Sequence, residues 1–151
     1  MARVAQAREA GDPDVLVSSI PYARFLGVTA ALDAGQLLGK LSFTPRLIGN
    51  PVMPALHGGT VGALLEMTAM LTVLWQVPGV GVPKVINLTI DYLRPAAAED
   101  VLARGTVTKQ GRRVVNVFAQ AWQRDPSRPI ASANAHFLIE PLQDGAADRT
   151  G

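Results

Sequence analysis

The chain has 151 residues, of which 48% are hydrophobic and only 17% charged. This composition predicts one folded domain, and the lack of cysteine excludes a disulfide scaffold, thiol catalysis and cysteine-bound metal. Fourteen basic and twelve acidic side chains give a net charge of +2, too balanced to indicate a nucleic-acid-binding protein. The charges are unevenly spread, because only His57 and Glu66 are ionisable between Arg46 and Lys84.

The two ends of the sequence carry little periodicity. Residues 1–17 are rich in Ala, Arg and Asp, and we expect a loose arm or a short helix there. Residues 142–151 are similarly weak, and we expect a flexible tail. One folded domain over residues 18–141 is therefore predicted. The N-terminus lacks the charge-then-apolar order of a secretory signal, so a cytoplasmic location is expected.

The strongest fold signal is a long helix predicted over residues 58–76, opened by a glycine pair and closed by Pro78 and Gly79. It is apolar on nearly every face, which in a small domain requires a sheet wrapped around it. A membrane span is the alternative, but Glu66 near the middle would cost about 3 kcal/mol in a bilayer. The flanks also lack a basic cluster, so we expect no membrane partner.

Short apolar segments on either side of this helix predict the sheet. Asp33, Ala34 and Gly35 separate two of them, which indicates a hairpin. In a later segment Ile86, Leu88, Ile90 and Tyr92 alternate with polar residues, which predicts one dry face. The predicted strands cover residues 25–32, 37–44, 84–93, 101–109, 113–123 and 130–139. The expected fold is α+β, with a long central helix wrapped by a curved antiparallel sheet.

Candidate chemistry concentrates at the start of the helix. Gly58 and Gly59 follow His57, and glycines there leave the first amides open to a developing oxyanion. Glu66 is a carboxylate on an apolar helix with no Lys or Arg within one turn, which favours a catalytic base. It lies about 10 Å along the helix from Gly59, so a second subunit would be needed to join them. The alternatives are a helix-capping His57 and an ordinary glycine turn.

Other chemistries find little support in the sequence. His57 and His136 are the only two histidines and do not have a metal-ligand spacing, so no metal site is expected. The sequence contains neither a phosphate-binding loop nor a dinucleotide fingerprint, and a G-x-S-x-G motif is absent.

The order of several fragments resembles one family. These fragments are Asn50-Pro51, Leu56-His57-Gly58-Gly59, Glu66, Tyr92-Leu93-Arg94-Pro95 and Gly111-Arg112, within residues 22–141. Together they resemble the hotdog-fold acyl-CoA thioesterases, particularly the phenylacetate-degradation type. The resemblance implies hydrolysis of an acyl-CoA thioester, with CoA as part of the substrate and no separate cofactor. It also implies a homodimer or homotetramer whose active site lies between subunits.

The resemblance also implies roles for individual residues. Glu66 matches the catalytic carboxylate, acting as general base or nucleophile, and the Gly59 N–H would polarise the thioester carbonyl. His57 would lie nearby, and Asn50 would position water or the carbonyl. Substrate and CoA contacts are expected from five further residues: Gly58, Thr68, Arg94, Arg112 and Arg113.

Three functional interpretations stay open at this level: the thioesterase and two alternatives to it. The fragment Pro51-Val52-Met53-Pro54 resembles the hotdog dehydratases of hydroxyacyl thioesters, although residues 46–50 lack the upstream histidine of that branch. A non-catalytic acyl-CoA-binding protein is the other alternative.

An acyl tunnel could be lined by four apolar residues of the helix, Met67, Met70, Leu71 and Trp75. Their helical spacing favours core packing instead.

Overall fold

The computed structural model describes residues 2–142. The chain begins with three short helices, α1 (Ala2–Ala10), α2 (Asp14–Val17) and α3 (Pro21–Leu26). The hairpin β1 (Val28–Asp33) and β2 (Gln36–Leu41) follows, then a 3-10 turn (Pro45–Leu47) and the small pair β3 (Ile48–Asn50) and β4 (Ala55–Leu56). The long helix α4 (Gly58–Gln76) precedes four strands, β5 (Lys84–Tyr92), β6 (Val101–Gln110), β7 (Val114–Trp122) and β8 (Ala131–Leu138).

Six strands form one antiparallel sheet in the order β1-β2-β6-β7-β8-β5, and α4 contacts five of them. The closest approaches are at two glycines. A Cβ atom on Gly39 would lie 2.3 Å from Thr68 Oγ1, and one on Gly105 would lie 2.5 Å from Thr72 Oγ1. Both positions therefore need glycine to let the helix rest on the sheet. This is the predicted hotdog arrangement, and the α+β fold class is confirmed.

Helix α4 has the predicted bounds and is buried over most of its circumference. By length and composition it could cross a membrane, but here it packs inside the sheet as a core helix. Between its first and last turns only Ala63, Glu66 and Met70 are not fully buried. Together with Gly59 they fall within about 60° of one another around the helix axis. We call these four residues the open stripe.

The N-terminal segment forms helices that pack on the domain, rather than a loose arm. Ala7 and Val17 are completely buried, and Leu16 nearly so. The guanidinium of Arg8 donates to the carbonyl oxygens of Leu74 and Val77, at 2.5 and 3.0 Å. Because those carbonyls lie at the C-terminal end of α4, where helical partners are missing, Arg8 ties α1 to the core helix.

The predicted first strand is wrong at its start. Residues 21–26 form α3, because Pro21 favours the first turn of a helix and Gly27, at a φ of 79°, ends it in the left-handed conformation. The strand proper begins at Val28. The predicted tail falls outside the described residues except for Leu142, whose N–H donates to the Gly79 carbonyl.

Strand β5 forms one edge of the sheet. Leu88 and Ile90 are partly buried against the core, as the predicted dry face requires. Ile86 and Tyr92 are each 57% exposed, however, because no strand lies beyond β5 in the described part of the chain. The opposite edge is protected, since α2 and α3 contact β1 and the Asp14 carboxylate accepts from the Ala30 N–H. Among residues 2–142, only the β5 edge therefore offers a long unpaired backbone.

Candidate active site

The first turn of α4 is organised by His57. Its backbone is extended, and its Nδ1 atom accepts a hydrogen bond of 2.9 Å from the Gly59 N–H. The Thr60 hydroxyl and N–H both donate to the His57 carbonyl. Because Nδ1 is an acceptor here, a neutral ring carries its proton on Nε2. His57 is thus the N-cap of the helix, and the amide of Gly59 is already paired.

Tyr92 fixes this turn from the neighbouring strand, a role that sequence reasoning missed. Its hydroxyl donates to the Gly58 carbonyl at 2.9 Å, and its ring lies over the turn. A Cβ atom on Gly58 would lie 3.2 Å from that ring, which explains glycine at this position. The only sequence signal was the Tyr92-Leu93-Arg94-Pro95 fragment itself.

A cleft of about 310 Å³ opens directly beside the helix start. Gly58 and Val61 of α4, Tyr92 and Arg94 from the end of β5, and Ile130 before β8 form part of its wall. The positive end of the helix dipole lies at this mouth, so the cleft favours an anionic or strongly polarised group.

Glu66 lies on the open stripe and is half-buried. It has no hydrogen-bond or ion-pair partner among residues 2–142. Because α4 is a regular helix, Glu66 and Gly59 of one chain lie about 10 Å apart along its axis. The structure therefore keeps the separation that the sequence indicated, and the two groups do not meet within one protomer.

The Asn50 side chain stabilises the turn in which it lies. Its Oδ1 atom accepts from the N–H groups of Val52 and Met53, at 3.0 and 3.3 Å, in the loop between β3 and β4. Its side-chain oxygen is therefore engaged within this loop, and a role for it in positioning water or the carbonyl stays a prediction.

Thr68 is not a surface residue of the site. It is 1% exposed and faces Gly39 of β2, about 200° around the helix from Glu66. Thr68 therefore faces the sheet and not the open stripe, and a substrate contact for it stays a prediction that this position does not favour.

The predicted arginines separate into two groups. Arg94 follows β5 near the helix start, whereas Arg112 and Arg113 lie in the β6–β7 turn at the other end of the sheet. Strand β7 between these ends spans about 30 Å, so one protomer cannot bring all three to one nucleotide.

A second cleft, of about 240 Å³, adjoins the first and contains arginines that sequence reasoning missed. Arg94, Arg124 and Arg128 all line it. The Arg124 guanidinium forms a two-pronged pair with Glu99, and that hydrogen bond lowers the pKa of the Glu99 carboxyl below its ordinary value. Arg94 donates to the Pro129 carbonyl at 2.6 Å. No sequence motif marked Arg128, because only the fold carries the loop after β7 to this place.

Within residues 2–142 no group of three or more His, Asp and Glu side chains is arranged to hold a metal ion. His136 hydrogen-bonds Asn87 across β8 and β5 and lies apart from His57.

Comparisons with known proteins agree with this architecture. The family model of the thioesterase superfamily matches residues 53–130, which span α4 and the cleft. The medium/long-chain acyl-CoA thioesterase YigI of Escherichia coli K12 is 25% identical over 141 residues, covering 83% of this chain and 90% of YigI.

Two solved structures extend the comparison. A protein of Chromobacterium violaceum is 37% identical, has a TM-score of 0.76, and covers 95% of this chain and 100% of its own. A phenylacetic acid degradation-related protein of Ralstonia eutropha JMP134 is 29% identical with a TM-score of 0.68, covering 79% of this chain and 90% of its own.

A single core helix cradled by a curved antiparallel sheet defines the hotdog class of α+β domains. The chain belongs to the thioesterase superfamily and is a thioester hydrolase. The family resemblance that the sequence fragments indicated is thereby confirmed.

Proposed function

We propose that the protein hydrolyses acyl-CoA thioesters to the free acid and CoA. The observation that carries the proposal is Glu66, a carboxylate without a partner among residues 2–142, on the one open stripe of an otherwise buried helix. Keeping an unpaired carboxylate half-buried costs free energy, which indicates a function for it. Superfamily membership supports thioester hydrolysis, and the name of the E. coli relative supports CoA as the thiol.

Glu66 acts as the general base in this proposal. Its carboxylate accepts a proton from water while the water oxygen attacks the thioester carbonyl carbon, forming a tetrahedral oxyanion. Collapse of the intermediate breaks the carbon–sulfur bond, and the leaving CoA sulfur takes the proton from Glu66. Direct attack by the Glu66 carboxylate is the variant mechanism, with an anhydride that water then cleaves.

The Gly59 N–H polarises the thioester carbonyl in this proposal. In the free chain that N–H donates to His57 Nδ1, so the carbonyl oxygen must share or replace the imidazole as acceptor. His57 is therefore a positioning residue that holds the first turn ready. The dipole of the nineteen-residue helix adds favourable potential for the developing oxyanion.

We further propose that two copies complete the active site. One copy's Glu66 would face the other's Gly59, which removes the separation of about 10 Å within a chain. The unpaired β5 edge supports this arrangement, because a twofold pairing of β5 with its copy would satisfy the free backbone groups. The open stripe lies next to that edge, where Gly62 approaches Ile90 and Tyr92.

CoA would lie across the two adjoining clefts. The first cleft, beside Gly58, suits the pantetheine arm, and the arginine-lined second cleft suits the phosphates. Arg94 lines both. An antiparallel β5 pairing would bring the partner copy's β6–β7 turn to the end of the sheet that carries Arg94. Arg112 and Arg113 of that copy would then contribute to phosphate binding.

A cytoplasmic location stays a prediction.

The test is the release of free thiol from a panel of aliphatic and aryl acyl-CoA thioesters. Wild-type protein should turn over at least one member, and Glu66→Gln should lower kcat about a thousandfold, as expected for loss of a general base. Glu140→Gln is the matched control, because Glu140 is an exposed carboxylate paired with Lys84, and it should keep full activity.

Three outcomes would contradict the proposal. Full activity of Glu66→Gln would remove Glu66 from the chemistry. Double-bond formation from a hydroxyacyl-CoA without thiol release would favour a dehydratase. Calorimetric binding of acyl-CoA esters without any turnover would favour a binding protein.

A further inference from the structure

A third cavity lies between the N-terminal helices and the second half of α4. Its volume is about 480 Å³, the largest of the cavities described here, and its wall is mostly apolar. Val4 of α1, Leu16 of α2 and Ile20 form one side, and Met70 and Leu74 of α4 form the other. The hydroxyl of Ser19, also in the wall, already donates to the Leu16 carbonyl at 2.7 Å.

This cavity is continuous with the open stripe. Met70 belongs to both, and it lies one helical turn, about 6 Å, beyond Glu66. Leu74 follows one turn later, so the cavity wall extends about 12 Å from Glu66 along the helix. A chain that extends from the carboxylate towards the helix C-terminus along the open stripe would reach the cavity at Met70.

The outer wall of the cavity is fixed in place. Arg8 on α1 donates to the Leu74 and Val77 carbonyls, and Ala7 and Val17 are fully buried beneath the same segment. A wall held by these contacts gives the cavity a defined width. Residues 2–20 are thus part of the cavity wall rather than an appendage.

We propose that this cavity binds the alkyl chain of the substrate's acyl group and that residues 2–20 set its preferred length. The inference rests on the proposed function. An apolar space that begins one helical turn beyond the proposed base and extends along a helix fits an unbranched alkyl chain. Each methylene buried there should raise affinity about fourfold. Long acyl chains should therefore be favoured over short ones.

The test fills the cavity from its outer wall. Val4→Trp introduces bulk on the cavity side of α1, and Gln6→Trp introduces the same bulk on its exposed side as the matched control. Hydrolysis of decanoyl-CoA and butyryl-CoA is compared. Val4→Trp should lower kcat/KM for decanoyl-CoA at least tenfold and leave butyryl-CoA within twofold, while Gln6→Trp changes neither.

Ser19→Phe fills the same cavity from another side and should reproduce the loss if Val4→Trp proves unstable in thermal unfolding. An unchanged preference for decanoyl-CoA in both folded cavity variants overturns the inference.

Decanoate binding, measured by calorimetry, separates the inference from the proposed function. If wild-type protein hydrolyses no acyl-CoA, the proposed function fails, and the cavity is judged by decanoate alone. Binding to wild-type and Gln6→Trp proteins but not to Val4→Trp supports an alkyl site. No binding to wild-type protein, or equal binding to Val4→Trp, overturns it.

Discussion

The imidazole of His57 and the backbone N–H of Gly59 form a 2.9 Å hydrogen bond at the first turn of α4. The same N–H is the group assigned to the thioester carbonyl in the proposed reaction. The cap of the helix and the proposed oxyanion donor therefore share one proton donor.

This sharing predicts that His57→Ala loses both stability and rate. Removal of an N-cap acceptor should lower the free energy of unfolding by about 1 kcal/mol. We expect kcat to fall about tenfold, because the first turn would no longer hold the Gly59 amide in place. Thermal unfolding and thiol release measure the two effects. Asn is a strong N-cap residue, so His57→Asn should recover most of both, and recovery of stability alone would assign a chemical role to the imidazole.

A shared active site predicts complementation between two inactive variants. Glu66→Gln removes the base, and Gly59→Val blocks the carbonyl site, so each homodimer should be inactive. Co-expressed chains form heterodimers in which one site carries both defects and the other carries neither. The purified mixture should regain about a quarter of wild-type activity, since half of the dimers then hold one intact site. No recovery in a mixture that light scattering identifies as dimeric would assign both residues to one chain.

The arginine-lined second cleft predicts a salt-dependent KM. Arg128→Ala should raise KM for acyl-CoA several-fold with little change in kcat, because it would remove a phosphate contact distant from the reacting carbon. The effect should shrink as ionic strength rises. Arg24→Ala, on the exposed side of α3, is the control and should leave KM unchanged. Equal KM values for Arg128→Ala and wild-type protein would show that the CoA phosphates do not bind at Arg128.

Thr68 and Thr72 predict opposite responses to the same substitution. The Thr68 hydroxyl is buried without a hydrogen-bond partner among residues 2–142, whereas Thr72 Oγ1 donates to the Thr68 carbonyl at 2.7 Å. Thr68→Val should therefore keep activity and match or exceed wild-type stability, while Thr72→Val should lose about 1 kcal/mol. Denaturant unfolding measures both. Loss of activity in a stable Thr68→Val protein would restore Thr68 to the substrate site.

Asp100 predicts a dependence of stability on acid. Its hydrogen bond to Lys40, at 2.8 Å, and another from the Phe43 N–H lower the pKa of this carboxyl below its ordinary value. A pKa lowered in the folded state stabilises the protein above the unfolded value and loses that contribution as pH falls through the folded value.

Asp100→Asn should therefore cost stability near pH 7, by at most about 1 kcal/mol because the pair is half-exposed to solvent. The difference from wild-type protein should shrink as pH falls below the ordinary Asp pKa of 3.8 and through the lowered folded value. Urea titrations near pH 7 and at a series of acid pH values measure it, and a difference that does not shrink in acid would assign the effect to packing.

The fold was predictable from sequence because its two strongest signals are local. Nineteen consecutive residues that are apolar on nearly every face require burial, and strand-length segments around them supply the sheet. The N-terminal packing was not predictable, because Arg8 finds its partners about seventy residues away, and α1 has no apolar stripe to indicate a buried face.

The candidate site divides in the same way. Four of its residues are close in sequence, so their spacing along one helix could be predicted: His57, Gly58, Gly59 and Glu66. Tyr92 reaches the helix start, and Arg128 reaches the adjoining second cleft, only through strand register, which sequence spacing does not give. The nearness of Thr68 to Glu66 in sequence hides an angle of about 200° around the helix, which points Thr68 at the sheet.

Because of this angle, two glycines of the sheet influence the orientation of Glu66 from the opposite side of the helix. Gly39 and Gly105 leave notches into which Thr68 and Thr72 fit, and a helix seated in two notches cannot turn about its axis. The orientation of the Glu66 carboxylate, on the other side of α4, is thereby fixed. The direction in which Glu66 points is thus decided by two glycines that contact the opposite face of the helix.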